Sequence, residues 1–80
     1  MTMNELKTQL MKSHVPEDVY SLIGGKPNEA YCLNHCSGRW EAYYSERGIK
    51  SNKKEFITED EACNYFYNWI TQSLRNVGIL

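Results

Sequence analysis

The sequence predicts a small α+β domain, on three observations. Apolar residues recur at helical spacing near the start, period-two alternation fills the middle, and a capped apolar stripe runs toward the end. Eighty residues allow a single domain, residues 1–80, with one modest core. The expected architecture is an N-terminal helix or helices, a three-stranded antiparallel β-meander, and a long C-terminal helix packed on one sheet face.

Met3, Leu6, Leu10 and Met11 define the first amphipathic helix over residues 2–13. Val15-Pro16-Glu17-Asp18 reads as a second helix start, because proline fits a first turn and the acids complement the positive dipole end. Val19, Leu22 and Ile23 would then face inward, with Gly24-Gly25 as the stop. Whether residues 2–23 form one broken helix or two stays open. Past the loop Lys26-Pro27-Asn28, residues 29–36 alternate, so Tyr31, Leu33 and His35 share one face and Ala30, Cys32, Asn34 and Cys36 the other. Ser37-Gly38 fits a hairpin turn. In the next strand Trp40, Ala42 and Tyr44 oppose Glu41, Tyr43 and Ser45. Gly48 to Asn52 reads as a polar connection and Lys54 to Ile57 as a short third strand. Thr58 and Glu61 form a capping box with Glu59 and Asp60 in the first turn. Behind them Ala62, Cys63, Phe66, Trp69, Ile70, Leu74 and Val77 form one apolar stripe, and Gly78 ends it.

Composition limits function. The net charge of −1 supplies no general attraction to phosphate backbones. An odd three cysteines, with no apolar leader in Met1 to Lys12, point to free thiols in a reducing, cytoplasmic setting. No stretch approaches the roughly 20 apolar residues of a membrane span. Six tyrosines and two tryptophans against two phenylalanines favour side chains at the core edge or in a contact surface.

Cys32, His35, Cys36 and Cys63 invite a zinc reading. In a strand, residues four apart lie about 13 Å from each other, too far to share one ion. His35 would also oppose both strand thiols, so neither a metal site nor a cofactor is expected. A Cys32–Cys63 disulfide is geometrically conceivable, although the odd count argues against it. No thiol has an evident base beside it, and Gly24-Gly25-Lys26 lacks the frame of a P-loop. These readings disfavour an enzyme.

The helix–three strands–helix order is similar to that of the double-stranded-RNA-binding domain, whose members grip phosphates with a basic cluster opening the last helix. Here Thr58-Glu59-Asp60-Glu61 would repel phosphate. Arg47, Lys50, Lys53 and Lys54 remain as an alternative nucleic-acid surface, interrupted by Glu46 and Glu55. Tyr43 on the open sheet face, flanked by Glu41, Glu46 and Arg47, has the anchor-and-rim composition of a protein-binding surface.

Trp40-Glu41, Tyr43-Tyr44-Ser45-Glu46-Arg47-Gly48 and the later Phe56-Ile57-Thr58-Glu59-Asp60-Glu61-Ala62-Cys63-Asn64-Tyr65-Phe66 carry a further likeness. Over approximately residues 15–74 the chain resembles small bacterial immunity proteins of polymorphic toxin systems. That resemblance implies a non-enzymatic protein that occludes a cognate toxin, and it transfers no catalytic residue. Glu41, Tyr43, Glu46 and Arg47 are the expected contacts, and an acidic face there would suit the positive groove of a nuclease toxin. A third expectation is self-association, with the sheet edge or open face paired across a two-fold axis.

Overall fold

The computed structural model describes residues 1–80. Helix α1, Met3–Lys12, opens on a reciprocal cap: Thr2 Oγ accepts from Glu5 N (3.2 Å) and Glu5 Oε1 accepts from Thr2 N (2.8 Å). Leu6 and Leu10 are fully buried. Met11, expected in the same stripe, is 57% exposed, because one residue past Leu10 rotates the side chain about 100° off the buried line.

The second helix does not form. Glu17–Val19 is a single 3-10 turn, after which the chain extends into β1, Tyr20–Ser21. Few residues separate Pro16 from Gly24-Gly25, and so short a helix lacks the length to offset nucleation. The extended path lets Val19, Tyr20 and Leu22 pack on the core. Ile23, expected inside, is 91% exposed.

The sheet therefore has four strands, β1, β2 (Ala30–Cys36), β3 (Arg39–Glu46) and β4 (Ile49–Phe56), in that spatial order. It is mixed, since β1 runs parallel to β2 while the β2–β3 and β3–β4 pairs are antiparallel. Ser37 (φ 54°) and Gly38 (φ 74°) make the first turn, whose two left-handed residues match the strand twist. Arg47 (φ 51°) and Gly48 (φ 78°) repeat it, so the third strand of the meander begins at Ile49, five residues earlier than Lys54. The polar stretch expected to connect strands is itself strand. An edge strand exposed on both faces carries no apolar alternation to reveal it. A bulge at Asn52 (φ 54°) shifts the register between the Ala42–Lys54 and Tyr44–Ser51 pairs.

Helix α2, Glu59–Asn76, starts where Thr58 Oγ accepts from Glu61 N at 3.2 Å. Ala62, Cys63, Phe66, Ile70 and Leu74 are buried, whereas Val77, just beyond the last turn, is 69% exposed. These residues join Leu6, Leu10, Val15, Leu33 and Ala42 in the main core. Leu33 and Ala42 face each other in the β2–β3 register, which fixes the sheet face that meets the helices. Rings line that face: Phe56–Tyr65 (5.1 Å between centroids), Tyr65–Trp69 (5.9 Å), Trp69–Tyr31 (4.8 Å) and Tyr31–Tyr44 (5.0 Å). Neither helix is long and apolar enough to cross a membrane.

Candidate functional site

Alternation sends Tyr43 to the face away from Leu33 and Ala42, but there it is fully buried with Ala30 and Cys32. The expectation of an exposed tyrosine anchor is corrected. Its cover is the loop that carries Gly24 and Gly25, folded back over the sheet. Ser21 Oγ donates to Gly24 O (2.9 Å) and the Tyr43 hydroxyl donates to Gly25 O (2.5 Å). Lys50 Nζ sits 4.4 Å from the Tyr43 ring centroid, a cation–π contact. Burial pushes the Tyr43 phenol up to about 12, with Cys32 adding to it. The Cys32 thiol is raised by the same burial.

The loop closes tightly at Gly24 (φ 75°), where an added Cβ would lie 2.6 Å from Asn34 Cγ and Oδ1. Gly24→Ala therefore meets two separable obstacles, a left-handed backbone worth about 1–2 kcal/mol and a clash with Asn34. Truncating the neighbour isolates the second. In urea unfolding, Gly24→Ala should destabilise more in the native background than in Asn34→Ala, and equal losses would show that Asn34 does not abut the loop.

Glu41 is tied on the open face by Lys53 Nζ (3.1 Å to Oε2) and Lys50 Nζ (3.2 Å to Oε1). Burial works against its ionisation, yet the hydrogen bonds from Lys53 and Lys50 prevail and hold the carboxyl below its usual range. The hydrogen bond to Glu41 raises Lys53 in turn. Glu41 is accordingly neutralised, with two ammonium groups to its one carboxylate, and the cluster it forms is not acidic. The acids collect elsewhere, where the two helices begin: Glu5 caps Thr2 N and Glu59 Oε2 accepts from Met3 N at 2.9 Å. Those carboxylates satisfy helix-end donors.

Glu46 and Arg47 lie together at the exposed β3–β4 tip. Arg47 N donates to Asn28 Oδ1 at 3.1 Å, pinning the turn to the loop before β2. The expected contacts thus divide: Glu46 and Arg47 form one exposed pair, Glu41 lies in an ion-paired platform, and Tyr43 lies beneath it. The four cations of the nucleic-acid alternative divide as well. Lys50 and Lys53 share Glu41, Arg47 is at the tip, and Lys54 pairs in register with Ala42 on the other face.

Cys63 belongs to the main core and Cys32 to the cluster across the sheet, so the conceivable disulfide has the sheet between its partners. The pleat gives the reason, since Tyr31 and Leu33 hold the positions that face α2. Burial pushes the Cys63 thiol up to about 11. His35 stacks on Trp40, with ring centroids 4.0 Å apart and planes 3° from parallel, and no three His, Cys, Asp or Glu side chains could share an ion.

Asn28, Asn34 and the Gly24-Gly25 pair also belong to this site, beyond the residues the sequence points to. The glycine pair was the available signal, since two adjacent glycines can fold a loop onto a sheet as readily as end a helix. A shallow hollow on α2, lined by Tyr65, Asn68, Trp69, Gln72 and Ser73, has no sequence signature of its own. It opens on the half-buried rings of the helix stripe. Comparison with protein-family models, curated proteins and solved structures finds no match for this chain.

Proposed function

We propose that this chain is a non-enzymatic protein-binding domain of immunity type, occluding a partner protein through the β3–β4 tip and the adjoining Glu41–Lys50–Lys53 platform. The charged tip carries the reading. Glu46 and Arg47 present opposite charges from a two-residue turn whose backbone Asn28 holds. A backbone held before contact loses less entropy on binding, and mixed charge selects a partner by complementarity. Support also comes from packing roles of most candidate chemical groups: the Cys32 and Cys63 thiols are buried and raised and His35 is stacked, which leaves Cys36 as the exposed thiol. Free thiols suit a reducing compartment.

The test captures proteins from the native host with tagged wild-type chain and with the double variant Glu46→Lys/Arg47→Glu in parallel. One protein held stoichiometrically by the wild type and weakened at least about tenfold by the charge reversal is expected, as two reversed contacts at about 1 kcal/mol each imply. Capture of no protein, or of the same protein equally by both chains, rejects the tip as a docking site.

A further inference from the structure

Strand β4 ends the sheet, and its residues 49–55 are all exposed. Eight residues of strand with an unpaired outer edge are a template for another strand. The side chains of this one are self-complementary. Placed antiparallel to a copy of itself about an axis between Asn52 and Lys53, the strand sets Ile49 opposite Phe56, Lys50 opposite Glu55 and Ser51 opposite Lys54.

The backbone agrees with that register. Glu46 and Ile49 flank a two-residue turn and are in register, as are Tyr44 and Ser51. In an antiparallel ladder such pairs bond inward, and Lys50 between them points its N–H and C=O outward. Beyond the bulge, Ala42–Lys54 and Trp40–Phe56 continue the inward series, leaving Glu55 outward. Lys50 and Glu55 thus have both free backbone groups and opposite charges, and both stand on the open face. The bulge shifts face parity by one residue, and only across it do positions 50 and 55 match. A slip of two residues would set Lys50 opposite Lys53.

Glu55 also has no salt-bridge partner in its own chain, although Lys53 lies near enough to feel its charge. It makes no ion pair and lies directly across from Glu41, whose carboxylate Lys50 and Lys53 already occupy. Ile49, 69% exposed, would cover Phe56 of the copy, which is half-buried beside Tyr65.

We infer that two copies of this chain join through β4 about a two-fold axis between Asn52 and Lys53, forming one continuous eight-stranded sheet. Lys53, close to the axis, stays neutralised by Glu41. The tip residues Glu46 and Arg47 lie outside the paired segment, whereas Lys50 and Lys53 of the adjoining platform lie within it, so the dimer leaves the tip free and shares only the platform with the function proposed above.

Sedimentation of the full chain up to about 1 mM tests this. Wild type is expected to approach twice the monomer mass of 9.4 kDa. Glu55→Lys should raise the dissociation constant about tenfold or more, because the two-fold axis repeats each substitution. Lys50→Glu should do likewise, and the combined swap should restore association. Hydrogen exchange supplies a readout that needs no variant: the Lys50 and Glu55 amides should gain protection as concentration rises. A monomer at the highest concentration overturns the inference. So does a dimer indifferent to Glu55→Lys, or one whose Lys50 and Glu55 amides exchange freely.

Discussion

Phe66→Ala is expected to lower stability by about 3–5 kcal/mol, the range for emptying a fully buried aromatic site. Phe66 is fully buried and is the largest side chain of the main core. It lies one turn from Ile70 on the α2 stripe, and Trp69 meets it edge-on at 6.2 Å. The void would open where helix, helix and sheet converge. A domain of 80 residues has only about 4–12 kcal/mol in total, so the variant should be largely unfolded well below the wild-type midpoint. Each kcal/mol shifts the midpoint of a domain this size by about 4–8 °C. Phe66→Leu keeps most of the volume and should lose less than about 2 kcal/mol. Thermal and urea unfolding of the three proteins check the order. Near-equal stability of Phe66→Ala and wild type would mean that α2 does not seat on the core through this residue.

Why α2 and the first hairpin were legible, while β1 and β4 were not, follows from burial. Helix α2 packs one stripe against a core, so Ala62, Cys63, Phe66, Ile70 and Leu74 recur at helical period and Thr58 marks the start. Strands β2 and β3 lie between neighbours, and the Leu33–Ala42 and Cys32–Tyr43 pairs repeat the alternation of the sequence. Strand β4 is an edge with both faces wet, and only its Arg47-Gly48 turn betrays it. In β1 two residues carry no period, and Pro16 followed by two acids imitates a helix start. Alternation assigns Tyr43 to the correct face, but exposure there depends on the loop that Gly24 and Gly25 fold back over it. No local pattern reports which surface a glycine-rich loop will cover. The same limit applies to Glu41, whose two lysines arrive from a strand that looked like a connection.

That covered tyrosine is where the second large effect is expected. Tyr43→Ala should destabilise by about 3–5 kcal/mol, although Tyr43 lies outside the main core. The ring fills the cluster with Ala30 and Cys32, supports the Lys50 ammonium and ties the loop down through Gly25 O. Tyr43→Phe keeps the ring and removes the tie, for a loss of about 0.5–1.5 kcal/mol. The amides of residues 22–26 should then exchange faster while those of α2 keep their protection. The two variants thereby separate packing from tethering. A pH series gives a third reading. The phenol is raised in the folded chain to about 12 from its ordinary 10.0, so the unfolded chain loses its proton first. The stabilisation this provides is complete below pH 10 and declines as pH rises from 10 through 12. Between those limits the wild type should lose more stability than Tyr43→Phe, which has no hydroxyl to ionise. Parallel profiles for the two proteins would place the Tyr43 hydroxyl in water, leaving the loop without its anchor and the open face without its cover.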